Sequence, residues 1–492
     1  MKTTDLLAFD IGASNGRGII ARFDGEKITL HRVGGFENNF ILKGDMGYWD
    51  FRHILSEMKA LFQNARQQGF EPACFGIDTW GVDYGLLDNQ GELIEDPRAY
   101  RSATDQELEA AWEKLDKKKL FGLTGIAALN FNTVYQLYRR VLSGDGALKK
   151  ARTLLMMPDL LGYYLTGAVG TEYTNATTTG LLDVSTRAWS REITDALGIP
   201  MGILTPIDRA GTLRGRLKAD IADSLGFGLV PFAAVGTHDT ASAVAAIPGE
   251  GNFAFCSSGT WSLFGVETKE PVLTDFVYNA NFSNEGTVQG GFRPLKNIMG
   301  LWLIQECRRV WTKEEGKEYT WPEIQAMARA VPPLQCVVDP DEQRFFAAGG
   351  MPKKIQEYCR ETGQKVPETI GEIARCVYES LALKYRWAVE RLGEIRGGDI
   401  QSLNIVGGGI QNPLLNQMAA DATGLVTTVG PIEGAALGNA LMQAQALGLV
   451  KDINEARALA RASVETTRYE PNTTQQWVDA YGKLKQLMEA SE

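Results

Sequence analysis

Short apolar runs alternate with helix-length periodic segments from one end of the chain to the other. "DLLAFDIGASNGRGIIARFD" (5–24) is an apolar run, a small polar turn and a second apolar run, a pattern that predicts a β-hairpin. "GNFAFCSSGTWSLFGVET" (251–268) repeats that plan, and "ACFGIDTWGVDYGLLD" (73–88) predicts a further strand pair. "GLVPFAAVG" (228–236) is an apolar strand that hands over through His238, Asp239 and Thr240 to an alanine-rich helix. "SLNIVGGGIQNPLLNQMAADATG" (402–424) predicts strand, glycine turn, helix and glycine cap. "LKNIMGLWLIQECRRV" (295–310) has helical periodicity. On one helix, Asn297 and Gln305 stand eight residues, or about 12 Å, apart. "PIEGAALGNALMQAQALG" (431–448) predicts an amphipathic helix whose small residues allow close packing. Strands and helices alternating in this way argue for α/β layers. Pro and Gly break the pattern at "AAIPGEGN" (245–252), which divides the chain into expected domains 1–246 and 247–492.

A chain of 492 residues with 44% apolar content has material for two cores. Its net charge of −10 offers no basic surface for nucleic acid. The densest basic cluster, "KLDKKKLF" (114–121), is flanked by acidic residues and reads as a solvated helix face. The N-terminal residues lack the pattern of a signal peptide, and no apolar run reaches the roughly 18 residues of a membrane span. Six cysteines without a Cys-x-x-Cys pair, among three histidines, argue against a zinc site and for a reducing, cytoplasmic setting. Cys359 and Cys376 bracket a helix–loop–helix pattern that leaves both a bridge and free thiols open.

The familiar phosphate-handling motifs are missing. No Gly-x-x-x-x-Gly-Lys-Ser/Thr loop, no Gly-x-Gly-x-x-Gly after a strand and no His-Arg-Asp or Asp-Phe-Gly set is present. What remains is a group of separate small-residue turns. In the first, Asp10 ends a strand and Gly12 allows a tight turn. Ala13, Ser14, Asn15 and Gly16 let a ligand approach the backbone, and Arg17 supplies a charge suited to phosphate oxygens. An ordinary hairpin with Asn-Gly at its tip accounts for the same residues. Likewise, Asp239 before a helix is either a helix N-cap or a carboxylate on a rigid mount.

Together, the hairpins and glycine turns resemble the sugar-kinase/actin-type ATPase fold. "GIDTWGVDYGLLD", "FNTVYQLYRR", "LLMMPDLLGYYLTG", "EYTNATTTG", "THDTASAV", "SSGTWSL", "LKNIMGLWLIQ" and "VGGGIQNPLLNQ", in this order, are similar to the FGGY carbohydrate kinases. With the first hairpin and last helix they span residues 5 to about 440. The resemblance implies two actin-like (ribonuclease H-like) α/β domains with mixed sheets flanked by helices and a catalytic cleft between them. It implies ATP and Mg²⁺ as cofactors, and a small sugar as substrate, phosphorylated at the 1-hydroxyl of L-rhamnulose or of another ketose. No nucleic-acid or membrane partner is expected, and the chain is expected to be a monomer or a small homo-oligomer. Asp239 is implied as catalytic base, with Gly81, His238, Asp239, Thr240 and Asn297 meeting the sugar. Ala13, Ser14, Asn15, Gly16, Arg17, Thr260, Gln305 and Gly408 are implied to meet ATP, and Asp10 the metal.

Overall fold

The computed structural model describes residues 3–490. The chain forms two compact units. The first comprises residues 1–248, 267–294 and 433–464, and the second 249–266, 295–432 and 465–492. Both are built on a mixed sheet, and of the six strands that correspond, the first four stand in the same order in each, while the last two are exchanged. The first unit contributes β1 (Thr4–Ile11), β2 (Asn15–Phe23), β3 (Ile28–Glu37), β4 (Pro72–Thr79), β5 (Thr212–Arg216) and β6 (Pro231–Ala234), in spatial order β5-β6-β4-β1-β2-β3. The second sheet has seven strands, six of which are β7 (Phe253–Ser258), β8 (Trp261–Gly265), β9 (Phe292–Met299), β10 (Ser402–Val406), β11 (Val426–Val429) and β12 (Thr467–Tyr469), in order β12-β11-β10-β7-β8-β9. In each unit the first two strands form an antiparallel hairpin, and the first strand also pairs in parallel with a later one, β1 with β4 and β7 with β10. The echo between the two hairpins in sequence is therefore a repeat of topology. This is the actin-like plan.

Strand β1 shows why the first sheet is central. Leu7, Phe9 and Ile11 enter a core with Ile54, Met58 and Phe62 of helix Phe51–Gln67. Leu6 joins the opposite core with Leu437, Ala440 and Leu441. A strand covered on both faces reads as a continuous apolar run. Polar residues stand at its two ends, Thr4 and Asp5 at the amino end and Asp10 near the carboxyl end.

Helix Gly434–Ala446 differs from the amphipathic expectation: Ala436 through Ala444 are all buried. Its small residues admit close neighbours. A Cβ at Gly438 would lie 1.8 Å from the Ser242 carbonyl oxygen. Because that neighbour is backbone, Gly438→Ala forces the helices apart. A loss of about 1–3 kcal/mol in urea unfolding is expected; unchanged stability would show that this crossing is not constrained.

The stretch 295–310 is not one helix. Asn297 lies in β9, paired with Leu263 of β8, and the helix begins only at Trp302. Gly300 separates the two, and a Cβ there would meet Ser262 backbone nitrogen at 2.8 Å. A strand ending in a glycine turn imitated helical spacing. Among the described residues, no helix is long and apolar enough to cross a membrane.

Candidate active site

In the first unit, the carboxyl ends of three neighbouring parallel strands, β1, β4 and β6, lead to three aspartates. Asp10 and Asp78 are directly paired in the β1–β4 register. The chain leaving β6 bridges Thr79 at His238, and Asp239 follows. Carboxyl ends of parallel strands are where open α/β sheets bind ligands. Asp10 receives both Nε (3.1 Å) and Nη2 (2.7 Å) of Arg17 on Oδ2. Glu433 also contacts Arg17, at 3.1 Å. Burial raises the Asp10 carboxyl above its ordinary range; Arg17 opposes the rise, and Asp239 and Glu433 add to it. Asp78 is raised further, by burial and then by Asp10. Asn439 donates to Asp78 Oδ2 at 2.6 Å, whereas Asp78 Oδ1 is buried without a hydrogen-bond partner.

Asp239 is the more accessible of the three, with 33% of its side chain exposed against 8% for Asp10. It is the first residue of helix Asp239–Ala245, and the N-cap position belongs to His238. The carboxylate Oδ1 accepts from Thr240 N (2.6 Å) and Thr240 Oγ (3.1 Å). These are bonds to the adjoining residue, so the N-cap alternative does not describe the geometry.

His238 is built into a buried network. Its Nδ1 lies 3.1 Å from Glu285 Oε2 and 2.7 Å from Arg293 Nη2. Arg293 also donates to Glu285 (2.7 Å) and to the Gly286 carbonyl (2.9 Å). Burial pushes Glu285 up, but His238 and Arg293 outweigh it and hold the carboxyl below its usual range. His238 Nε2 is 3.6 Å from Asp239 Oδ1. Glu172, buried beneath the turn, accepts from Thr237 N (3.0 Å) and Thr237 Oγ (2.8 Å). The His-Asp-Thr turn thus rests on charged groups distant in sequence.

The hairpin of residues 10–17 closes with Gly12 N donating to the Asn15 carbonyl at 2.8 Å. Ser14 and Asn15 are exposed at its tip, and Ala13 is half-buried. Asn-Gly is not the centre of the turn: Gly16 already belongs to β2, where a Cβ would meet the Phe36 ring at 2.3 Å. Gly81 is buried against Thr178, 3.0 Å from where its Cβ would lie. Nearby Asp83 accepts from Trp49 (2.7 Å), Trp80 (3.0 Å), Gln136 (3.0 Å) and the Tyr100 amide (3.2 Å). Burial pushes its carboxyl up to about 6 against these donors.

The second unit gathers Thr260, Gln305 and Gly408. Thr260 Oγ donates to Gln305 Oε1 at 3.2 Å, and the Thr260 carbonyl accepts from Gly300 and Trp302 amides. Parallel pairing sets Ser257 of β7 beside Val406 of β10, immediately before the glycine run. A Cβ at Gly407 or Gly409 would strike Ser258, at 2.8 and 2.0 Å. A Cβ at Gly408 would meet open space, so its backbone is the approachable one. Asn297 Oδ1 is buried with no hydrogen-bond partner.

Sequence reasoning missed Asp78, Glu172, Glu285, Arg293 and Asn439. "FGIDTW" carried a signal for Asp78, because it repeats the apolar run ending in aspartate of "LAFDIG". Glu285 and Arg293 had none, since their partner His238 lies about fifty residues away.

The doubled strand plan, with small-residue turns and aspartates at strand ends, defines an actin-like phosphotransferase. The chain belongs to the FGGY family of carbohydrate kinases: the family's N-terminal domain matches residues 6–246 and its C-terminal domain residues 254–447. It is 39% identical over 487 residues to a rhamnulokinase of Bacteroides thetaiotaomicron, covering 98% of this chain and 99% of that protein. A rhamnulokinase of Halalkalibacterium halodurans is 41% identical over 464 residues, covering 94% and 98%. Among solved structures, a ligand-bound xylulose kinase from Lactobacillus acidophilus shares the fold at a TM-score of 0.80 and 15% identity, covering 99% of this chain and 97% of that one. Plasmodium falciparum glycerol kinase with ADP does so at 0.80 and 15%, covering 99% and 98%.

Proposed function

We propose that the protein transfers the γ-phosphoryl group of ATP to the 1-hydroxyl of L-rhamnulose, giving L-rhamnulose 1-phosphate in L-rhamnose catabolism in the cytoplasm. Similarity over nearly full length to relatives named rhamnulokinase supports the substrate. The observation that carries the chemistry is Asp239, at the start of the helix that follows buried β6 yet a third exposed. The 1-hydroxyl oxygen forms a bond to the γ-phosphorus while the bond from phosphorus to the β,γ-bridging oxygen breaks and ADP leaves. Asp239 takes the hydroxyl proton. Phosphoryl transfer of this kind depends chiefly on positioning and charge neutralisation, so a weak carboxylate base suffices.

His238 and Thr240 present donors and acceptors to sugar hydroxyls, with Gly81 and Asn297 as further sugar contacts. Two features support these roles: the charged network behind His238, and the unpartnered Asn297 oxygen. Ala13, Ser14, Asn15, Gly16 and Arg17 hold phosphates, and Thr260, Gln305 and Gly408 hold nucleotide. In this reading residues 1–246 supply most sugar and phosphate contacts, and 247–492 the nucleotide contacts.

The hard oxygen donors at the strand ends, including the orphaned Asp78 Oδ1, fit Mg²⁺. Asp10, directly or through water, and Asp78 would hold it; when bound, the ion neutralises charge on the transferred group.

A sugar panel with ATP and Mg²⁺ tests the substrate. L-Rhamnulose is expected to give a higher kcat/KM than L-fuculose, D-xylulose or glycerol. If another sugar wins by tenfold, about 1.4 kcal/mol of transition-state preference, the assignment falls.

A further inference from the structure

Three cysteines far apart in sequence converge in the second unit. The Sγ atoms of Cys336, Cys359 and Cys376 all lie within 4.8 Å of one another. All three are free thiols, and all are buried. Cys359 lies near the end of helix Met351–Glu361, and Cys376 in the second turn of helix Ile370–Arg396. The third, Cys336, comes from an irregular segment whose backbone is pinned on both sides.

We propose that Cys336, Cys359 and Cys376 form a three-thiolate site for a closed-shell thiophilic cation, Zn(II) or Cu(I). Metal–sulfur bonds of about 2.3 Å place three sulfurs in a trigonal set about 4 Å apart, within the observed spacing. Soft sulfur donors select such ions. Binding forms three metal–sulfur bonds and releases the thiol protons to solvent.

The support around the cluster is what a ligand site requires. Leu334 N donates to Glu379 (2.8 Å), Val337 N to Gln364 (2.9 Å) and Val338 N to Ser380 Oγ (2.9 Å). Gln364 Nε2 returns a bond to the Val337 carbonyl (2.8 Å). Cys336 is thereby tied to the Cys376 helix and to the loop that follows Cys359, so the ligands are held before an ion arrives. A cleft lined by Val331, Pro332, Lys365, Arg375 and Glu379 reaches Cys336 and Cys376. It gives an entry path, in which Lys365 is paired with Glu372 (2.9 Å) and Arg375 with Glu379 (2.7 Å). The cysteine spacings in sequence, 23 and 17 residues, match no short metal motif, and for that reason the group escapes sequence reading.

The test uses reduced full-length protein, stripped of metal and kept anaerobic. Cd(II) titration followed by thiolate charge-transfer absorption, with Zn(II) and Cu(I) competition against chromophoric chelators, reads stoichiometry and affinity. One ion per chain is expected, and roughly tenfold or greater weakening in Cys336→Ser. Cys74→Ser, in the other unit, should bind as wild type does. Should Cys336→Ser fail to fold, wild type decides: Zn(II) or Cu(I) should raise its Tm and protect Cys336, Cys359 and Cys376 from alkylation. Absence of stoichiometric binding, binding indifferent to Cys336→Ser, alkylation unchanged by metal, or a disulfide within the trio in anaerobically isolated protein would each overturn the site.

Discussion

Asp239→Asn is expected to fold and bind sugar while losing about 10²–10⁴-fold in kcat. The amide oxygen can accept the bonds that Thr240 N and Oγ give to Oδ1, so the turn keeps its local geometry. What disappears is the proton acceptor. Stability should hold or rise, because the Asp239 charge is among the causes that push both Asp10 and Asp78 up. Stopped assays for kcat, calorimetric sugar binding and thermal melting are to be measured together. A folded, sugar-binding variant that keeps more than about a tenth of wild-type kcat removes Asp239 from the role of base, since it misses even the low end of the range.

The strand-ending turns were legible because their signal is local. An apolar run that stops at aspartate, as in "LAFDIG", and an apolar run that passes through His-Asp-Thr into alanines, each announce a strand end in a few residues. The doubled topology was partly legible for the same reason: the two hairpins share one pattern. Local pattern failed where a glycine ended one element and let another begin. Asn297 and Gln305 looked like one helix face, yet Gly300 ends a strand and Trp302 starts the helix. It failed more deeply where burial joins distant residues. Asn439 reaches Asp78 across 361 positions, and no spacing in sequence announces it. The same holds for the return of residues 433–464 to the first unit, where Gly438 is fitted to Ser242. Composition allowed a close-packed helix but did not say against what.

Glu285→Gln is expected to cost about 3–5 kcal/mol at neutral pH, because it leaves a buried guanidinium without its main counter-charge. Arg293 is fully buried, and Glu285 is its direct ion-pair partner at 2.7 Å. Asp239, Glu267 and Glu172 also act on it, less strongly. The glutamine keeps the shape and can still accept a bond, so a small loss would mean that charge is not what holds Arg293. The double variant Glu285→Gln with Arg293→Met should recover much of the stability, since it removes the stranded cation as well. The pH dependence has a definite sign. Glu285 is held below its ordinary value of 4.5, so its contribution is present above that pH and is lost as pH falls through the lower folded value. The gap between wild type and Glu285→Gln in urea unfolding should therefore close in acid, as pH falls through the lowered folded value of Glu285. Catalysis supplies the second readout. Glu285 touches no substrate in the proposed mechanism, but it fixes the His238 ring at Nδ1. Under conditions where the variant remains folded, KM for the sugar should rise more than kcat falls. A loss below about 1 kcal/mol at neutral pH, the range of an exposed pair, would mean that this network does not support the turn.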